Sequence, residues 1–508
     1  MSARRAEFND YADETTDLET GAGDGDQPGR SYLRATIAAL IVVLALTTVI
    51  LVAVTKLLPA PILVIAIIVD LGLAAGLAYM VVKSDRKTHP GRFFVAIGLS
   101  VLLAVANIGV VKFSADFLSL ARGLQPTGIE TMVYNIVVND DGPSEVAQLF
   151  GTTMAEVKDD PYAEAVHAAV VKLLARTNPN VVTFVARDSW REALAALETK
   201  EVTSTVLPEI FVQLLEDADP AAFDRLRVLA SFEIELTKTT PKSTPTPTPP
   251  LAPKDSYVIY ISGIDTYGSI AARARSDVNI LMVVNPATGK VLLVNTPRDF
   301  YVPFRGLSGL NDKLTHAGVY GIDVSLGTLE DLYETSINYY LRINFTSLVV
   351  IVNALGGVDV NSVHAFHSQG YYFHEGINHL DGAAALAFAR ERKSFAGGDR
   401  VRGENQQLVI EAIIKKAASP AILSGYGQIM ATIQDEMQTS MPPETIAAQV
   451  RNQLAGGPNW VVTSISVNGF DASEFTYTYP GQRLYVMRPD PATVTAAIEQ
   501  IKATLEGA

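Results

Sequence analysis

Long uninterrupted stretches of hydrophobic residues dominate the first quarter of the chain. They occupy residues 36–55, 61–82 and 93–111, and each is about as long as a helix that crosses the hydrocarbon core of a bilayer. One such stretch is also typical of a buried core helix, but three in succession favour membrane spans. We therefore predict three transmembrane helices within residues 33–112 and no cleavable signal peptide.

After the spans the hydrophobic runs become short. Residues 115–236 alternate β-branched runs such as "IETMVYNIVV" with helical patterns such as "YAEAVHAAVVKLLA", which predicts a small α/β accessory domain. Residues 237–254 consist largely of Thr and Pro and predict an extended linker. Residues 1–32 are acidic and rich in Gly, and they predict a disordered cytoplasmic tail.

Residues 255–508 form a larger unit. The strings "YVIYISGID", "DVNILMVVN" and "KVLLVNTPR" predict three buried strands, and "SLGTLEDLYETS", "LDGAAALAFARE" and "NQQLVIEAIIKKAAS" predict helices. This mixture indicates a second α/β domain. The predicted fold class of the whole chain is α/β, anchored by three N-terminal membrane helices.

The distribution of basic residues predicts the orientation in the membrane. Lys83, Arg86, Lys87 and Arg92 lie between the second and third spans, whereas the turn between the first and second offers only Lys56. Basic loops remain cytoplasmic. We predict a multi-pass protein of the cell membrane with a cytoplasmic N-terminus and extracellular C-terminal domains.

Composition narrows the chemistry. The formal net charge is −14 and the chain contains no cysteine. The acidic balance argues against a nucleic-acid partner, and the lack of thiols excludes thiolate metal sites and cysteine nucleophiles.

A hairpin brings charged residues to one edge of the predicted sheet. The turn "PATG" separates two strands, and if Asn285 pairs with Lys290 then Asp277 lies opposite Arg298. Asp265, at the end of the preceding strand, and Arg275 reach the same edge. Each residue alone is more typical of a turn or a surface ion pair than of a binding site, but the four together favour a site.

A second group of cationic residues lies in "ARERKSFAGGDRVRGENQQ", residues 389–407. It contains four arginines: Arg390, Arg392, Arg400 and Arg402. Residues two apart on a helix point in nearly opposite directions, so the first two can share a ligand only if the helix ends between them or the chain is extended there. After the glycines, Asp399, Arg402 and Gln406 share one stripe of a helix.

Arginines in this number suit phosphate, because guanidinium is always charged and offers paired N–H donors to two oxygens. With Arg275 and Arg298, six arginines could surround a ligand, and a pyrophosphate fits that charge better than a carboxylate. Asp265 and Asp277 could then hold a divalent cation, with Mg²⁺ preferred by oxygen ligands. The alternative is a solvated, charged helix end.

The motifs resemble those of the LytR-CpsA-Psr family. The matching strings are, in order, "SGIDTYG" with "RSDVNILMV", "VNTPRDFYVP", "KLTHAGVYG", "LDGAAALAFARER" and "GGDRVRGENQQ". Three spans followed by an accessory domain look like the capsule-type members. The resemblance implies a central mixed sheet flanked by helices, with a hydrophobic groove for a polyprenyl chain.

The resemblance also implies an activity. Family members transfer an anionic glycopolymer, such as capsule or teichoic acid, from an undecaprenyl-pyrophosphate carrier to peptidoglycan, on the 6-hydroxyl of N-acetylmuramic acid. A metal ion, Mg²⁺ or alternatively Mn²⁺, assists the phosphoryl transfer. Two other functions stay open: a polyprenyl-pyrophosphate phosphatase that uses water, and a non-catalytic regulatory or assembly protein of polysaccharide export.

Site residues follow by motif position. The resemblance assigns catalysis to Asp277, Arg298 and Arg402, and metal binding to Asp265 and Asp277. It assigns pyrophosphate binding to Arg275, Arg298, Arg390, Arg392, Asp399, Arg402 and Gln406. The chain departs from the family where a basic residue often precedes the two glutamines, since Asn405 stands there.

Overall fold

A computed structural model of the chain describes residues 28–55, 60–83, 90–126, 130–158, 160–175, 182–236, 254–264, 270–309, 311–417, 437–454, 457–479 and 481–507. The predicted disordered tail up to residue 27, the linker residues 237–253 and Asp265 lie outside these ranges.

Three long apolar helices open the described chain: α1 (Pro28–Thr55), α2 (Ala60–Lys83) and α3 (Pro90–Gly123). Each contains a stretch long and apolar enough to cross a membrane: Arg34–Ala53, Leu63–Lys83 and Gly91–Asp116. The predicted number of hydrophobic helices is confirmed.

The ends of these helices differ from the prediction. Residues 28–32, assigned to a disordered tail, begin α1, where Pro28 occupies a first-turn position that proline tolerates. Residues 113–122 continue α3 beyond the predicted end of the spans, because neither glycine nor proline interrupts them before Gly123.

The accessory domain is a sheet covered by helices. Its strands are β1 (Glu130–Asn139), β2 (Thr153–Val157), β3 (Thr183–Arg187), β4 (Ser204–Pro208) and β5 (Leu226–Leu236). Its helices are α4 (Ala163–Ala175), α5 (Trp190–Glu198), α6 (Glu209–Ala218) and α7 (Pro220–Phe223). The strand order is β3-β2-β4-β1-β5, with parallel and antiparallel pairs. The predicted α/β character is confirmed.

The C-terminal domain contains most of the remaining elements. Its strands are β6 (Tyr257–Ile264), β7 (Ser276–Asn285), β8 (Lys290–Asn295), β9 (Tyr301–Val302), β10 (Asp312–Lys313), β11 (Tyr339–Ile343), β12 (Val358–Ser362), β13 (Phe366–Ser368), β14 (Tyr371–Phe373), β15 (Gly376–Leu380), β16 (Met437–Thr439), β17 (Val461–Ser466), β18 (Gly469–Phe475) and β19 (Arg483–Pro489). Its helices are α8 (Leu314–Ala317), α9 (Ile322–Tyr333), α10 (Phe345–Ala354), α11 (Gly382–Arg390), α12 (Asp399–Ala417), α13 (Pro443–Leu454) and α14 (Pro491–Glu506).

A six-stranded sheet in the order β16-β11-β6-β7-β8-β17 forms the centre of this domain. It is mixed, because β6 runs parallel to β11 but antiparallel to β7. Along β7, Leu281 and Val283 face a core shared with α9 and α14, while Ile280 and Val284 face a core shared with α12. Burial on both faces explains why the strand is almost continuously apolar.

The predicted hairpin register is confirmed. Asn285 pairs with Lys290, and Ile280 pairs with Asn295, so the two strands β7 and β8 keep one register from the turn onward. Asp277 and Arg298 therefore meet at the far end of the hairpin.

A β-bulge interrupts the pairing of β6 with β7 near that end. Val278 pairs with Gly263 and Ser276 with Ile264, which leaves Asp277 as the extra residue. Bulges change the direction of the side chains beside them. A Cβ atom on Gly263 would lie 2.7 Å from the Cβ of Val278, so the residue facing the bulge has to be glycine.

The accessory domain supports the segment that leads into β7. The amide of Thr131, in β1, donates to the carbonyl of Ala271 at 3.1 Å, and the amide of Arg273 donates to the carbonyl of Thr131 at 2.7 Å. Glu130 adds an ion pair with Arg273 at 2.6 Å. The segment just before Arg275 is thus held by β1.

The first turn of α12 lies against the end of β8. A Cβ atom on Gly403 would come within 2.3 Å of Nδ2 of Asn295, so this approach depends on glycine. Gly403 therefore fixes how closely α12 can approach the sheet.

We expect Gly403→Ala to destabilise the domain by about 1–3 kcal/mol, because the added methyl group overpacks the contact with Asn295. The midpoint of thermal unfolding of the detergent-solubilised chain measures this. In the Asn295→Ala background the clash is absent and alanine is the better helix former, so the same change should be stabilising there. Destabilisation of equal size in both backgrounds would contradict this account of the contact.

Candidate functional site

A pocket of about 300 Å³ opens at the edge of the central sheet, between the end of β6, the start of β7 and helices α10, α11 and α12. Five arginines line it: Arg275, Arg298, Arg390, Arg392 and Arg402. Asp277 and Gln406 line it as well. The structure thus brings together seven of the predicted site residues from four separate parts of the chain.

Two predicted residues are not placed by the structure. Asp265 lies outside the described residues. Asp399 is the first residue of α12, and its side chain is not described. Their predicted roles in metal and pyrophosphate binding stay predictions.

Asp277 is the centre of the ionic cluster. Its Oδ2 accepts from Nη1 of Arg298 at 2.9 Å, and its Oδ1 accepts from the hydroxyl of Thr315 at 3.0 Å. The side chains of Asp277 and Arg298 are only 10% and 12% exposed. An ion pair this buried fixes both groups, since separating them would leave a charge in a poorly solvated place.

The cluster holds Asp277 in its charged form. Burial alone would raise the pKa of this carboxyl, but the guanidinium groups of Arg298, Arg275 and Arg402 lower it to well below the ordinary value. The carboxylate therefore stays ionised through neutral and mildly acidic pH. A group with so low a pKa is a weak general base.

Helix α11 ends between two of the arginines. Asp381 caps its start by accepting from the amide of Ala384 at 2.8 Å. The helix ends at Arg390, and the next residue, Glu391, adopts an extended conformation. Arg390 and Arg392 can therefore both line the pocket. The guanidinium of Arg390 lies over the ring of Phe345, 4.0 Å from its centroid, which orients the cation.

Helix α12 supplies Arg402 and Gln406 from one stripe, as predicted. Its neighbouring residues have structural contacts instead. The side chain of Gln407 donates to the carbonyl of Ile465 in β17 at 2.7 Å and to that of Leu293 in β8 at 3.3 Å. Asn405, the residue that differs from the family pattern, packs against α11, where its side chain donates to the carbonyl of Phe388 at 3.5 Å.

Arg400, the third arginine of the cluster along the chain, lies elsewhere. Nη2 of Arg400 donates to the carbonyl of Gly469 at 3.3 Å, and the side chain lines a smaller neighbouring cavity. The hypothesis that six arginines surround one ligand is therefore wrong. Five line the pocket and Arg400 does not, because two residues apart on a helix it points about 160° away from Arg402.

Sequence comparison identifies the family. A sequence model of the LytR_cpsA_psr family matches residues 230–488, just over half of the chain. The chain belongs to the LytR_cpsA_psr family.

Named relatives agree with this assignment. The Bacillus mycoides (strain KBAB4) protein "Polyisoprenyl-teichoic acid--peptidoglycan teichoic acid transferase TagU" is 35% identical over 222 residues, which are 44% of this chain and 72% of that protein. TagU of Bacillus cereus (strain AH820) is 36% identical over 195 residues, which are 38% of this chain and 63% of that protein. The crystal structure of B. subtilis TagV is 25% identical over 50% of this chain and 98% of that one, with a TM-score of 0.43. The assignment rests on the sequence matches.

The structure of this LytR_cpsA_psr member adds residues that the motifs did not single out. Thr315 lies within the quoted string "KLTHAGVYG", but only the packing of α8 on β7 places its hydroxyl beside Asp277. Phe345 carries no charge and gives no sequence signal of a site. The apolar lining was expected but not assigned to residues; it consists of Ile264, Val278, Ile343, Phe345, Leu348, Leu386, Ala389, Val409 and Ile410.

The donors at the site are compatible with a divalent cation. A carboxylate has about four lone-pair positions, and Asp277 uses two of them toward Arg298 and Thr315. Among the described residues no group of three or more His, Cys, Asp or Glu side chains could hold a metal alone. Magnesium commonly uses one or two carboxylates and takes its other ligands from phosphate and water.

We expect Asp277→Asn to destabilise the domain by about 3 kcal/mol at neutral pH, because a buried negative charge that interacts with three guanidinium groups is removed. The pKa of Asp277 is lowered by folding, so its contribution is complete above the pKa of an unfolded aspartate, about 3.9, and disappears as the pH falls further. The difference in thermal midpoint between variant and wild type should be constant from pH 8 to about pH 5 and narrow below about pH 4.

The exposed aspartate Asp224 of the accessory domain provides the matched control. Asp224→Asn should leave the midpoint unchanged at every pH. If the difference in thermal midpoint between Asp277→Asn and wild type already disappears between pH 7 and pH 5, the arginines do not hold the carboxyl ionised.

Proposed function

We propose that this protein transfers an anionic glycopolymer from an undecaprenyl-pyrophosphate carrier to peptidoglycan, on the 6-hydroxyl of N-acetylmuramic acid. One observation carries the proposal: a single pocket combines five arginines with an extended apolar lining. The names of its relatives, which are transferases of teichoic acid to peptidoglycan, support it. The arginines would bind a polyanion, and the apolar side chains of the same pocket would bind a hydrocarbon chain.

The apolar half suits the lipid. Leu348 of α10, Leu386 of α11 and Ile410 of α12 come from three helices and face the same cavity. Small-molecule sites are usually concave and largely apolar, with a few polar groups that fix orientation. A polyprenyl chain buried there would bring its pyrophosphate to the arginines.

The arginines supply the chemistry that phosphoryl transfer needs. The reaction proceeds mainly by positioning and by stabilising charge, with little covalent participation of the protein. Arg298 and Arg402, both largely buried, offer fixed cations to the pyrophosphate and to the charge that develops on the departing lipid phosphate. Arg390, oriented by Phe345, contributes from the α11 side.

Asp277 acts as an anchor in this mechanism. Its low pKa makes it a poor acceptor of the hydroxyl proton. It holds Arg298 and Thr315 in place. Together, the carboxylates of Asp277 and Asp265 would bind Mg²⁺. When bound, the ion would neutralise phosphate oxygens and act as a Lewis acid.

The membrane location belongs to the proposal as well. Three apolar helices support anchoring in the cell membrane. The basic loop around residues 83–92 supports a cytoplasmic N-terminus and an extracellular position of both C-terminal domains.

Arg298→Ala should lower polymer attachment by at least about a hundredfold, the usual effect of removing one stabilising donor at such a site. The assay uses the full chain in nanodiscs, a polyprenyl-pyrophosphoryl glycopolymer donor and purified peptidoglycan. Arg305→Ala is the matched control, because Arg305 makes surface ion pairs with Glu330 and Asp331. Attachment by Arg298→Ala at the wild-type rate would refute the assignment.

Product analysis separates transfer from hydrolysis. Transfer should yield polymer bound to peptidoglycan, with lipid phosphate released only when peptidoglycan is present. Equal release of lipid phosphate without peptidoglycan would favour the phosphatase alternative, and donor binding without any turnover would favour a regulatory or assembly role.

Removal of divalent ions should abolish most of the transfer, and Mg²⁺ or Mn²⁺ added in excess over the chelator should restore it, because the pyrophosphate keeps more uncompensated charge without the ion. Rates in EDTA and after metal addition provide the measurement. Full activity in EDTA would show that arginines suffice and that the magnesium prediction is wrong.

A further inference from the structure

A second, smaller cavity lies on the other side of the ionic cluster. It shares Asp277, Arg298, Arg402 and Gln406 with the main pocket, so these side chains form the boundary between the two. The remaining lining of the smaller cavity comes from the end of β8, the first turn of α12 and β19: Asn295, Thr296, Pro297, Arg400, Gly403 and Met487. The aliphatic wall of the main pocket does not continue here.

A series of contacts connects Arg298, which lines both cavities, to the β18–β19 hairpin. Arg298 approaches Asp299 at 3.7 Å, and Asp299 pairs with Lys313 at 3.1 Å. The ammonium of Lys313 lies 5.9 Å from the centre of the Tyr485 ring.

The series continues on the β18–β19 hairpin. The hydroxyl of Tyr485 donates to Oδ1 of Asp471 at 2.8 Å, and the same oxygen lies 3.9 Å from Nη2 of Arg400. Tyr485 is 48% exposed although its hydroxyl is fixed. The surface beside Arg400 therefore presents an oriented aromatic face next to an exposed carboxylate and one exposed guanidinium group.

In-line displacement gives this second cavity a role. The attacking oxygen and the leaving oxygen lie on opposite sides of the phosphorus in phosphoryl transfer. If the lipid phosphate leaves into the apolar pocket, the attacking hydroxyl has to approach from the other side of the arginines. The smaller cavity borders the same arginines away from the apolar lining, and its volume of about 20 Å³ has room for a hydroxyl group but not for a sugar ring.

We propose that the surface formed by Arg400, Asp471 and Tyr485 binds the acceptor glycan strand and directs its hydroxyl through the smaller cavity to the pyrophosphate; this inference rests on the proposed function. An exposed aromatic ring with a fixed polar end suits a ligand that has both apolar faces and hydroxyl groups, as a sugar does. The half-exposed guanidinium of Arg400 matches the carboxylates of the peptides on such a strand.

The chemical step balances without a further reactant. The acceptor oxygen forms a new bond to the phosphorus that carries the glycopolymer. The bond between this phosphorus and the bridging oxygen of the pyrophosphate breaks. The bridging oxygen leaves with the lipid phosphate and keeps the electron pair, and the hydroxyl proton is released to solvent.

The test compares Arg400→Ala and Tyr485→Ala with wild type in nanodiscs, at varied concentration of a peptidoglycan tetrasaccharide carrying stem peptides. We expect the KM for this acceptor to rise about tenfold in each variant, with kcat and donor affinity within about twofold of wild type. Tyr485→Phe keeps the ring and should change the KM least, which separates stacking from folding defects. Arg488→Ala is the control, because Arg488 lies on the opposite face of the same hairpin and pairs with Glu474.

Direct binding of the tetrasaccharide, measured by calorimetry without donor, makes this test independent of turnover. If wild type binds it and the Arg400 and Tyr485 variants bind about tenfold more weakly, the acceptor surface is supported even if no transfer is detected and the proposed function fails. Unchanged acceptor affinity in both variants would overturn the inference while leaving the transferase proposal intact. Loss of donor affinity alone would also overturn it, since the surface would then hold the polymer of the donor.

Discussion

The buried ion pair between Asp277 and Arg298 is the interaction on which the rest of the site depends. It joins the two strands of a hairpin at the end opposite the turn, and it is nearly closed to solvent. Two buried charges of opposite sign require each other and their neighbours. The positions of Arg275, Arg402 and Thr315 follow, because each gains a fixed counter-charge or acceptor at the same carboxylate.

The surrounding fold holds this cluster in position from several directions. The accessory strand β1 supports the segment leading to Arg275, and Gln407 ties α12 to two strands of the sheet. The bulge at Asp277 depends on Gly263, and the approach of α12 depends on Gly403. A site that holds several arginines close together needs such support, because like charges repel and flexible side chains would separate.

Much of this arrangement followed from local patterns. The "PATG" turn sets the register of β7 and β8, and this register alone places Asp277 opposite Arg298. The requirement that α11 end between Arg390 and Arg392 was also correct. The sequence pattern failed for Arg400, which clusters with the other arginines along the chain but belongs to a different cavity. It gave no indication of Phe345, since an aromatic residue at a helix start is ordinary.

The amino-acid sequence by itself determined the three apolar helices, the two α/β domains, the hairpin register and the set of charged residues at one sheet edge. These features depend on hydrophobic periodicity, turn chemistry and spacing, which act between residues close together in the chain. Only the tertiary structure decided which arginines share the pocket, which apolar side chains complete it and where a second cavity adjoins it. Those features depend on how closely helices from distant parts of the chain pack on the sheet, and local patterns contain no information about that distance.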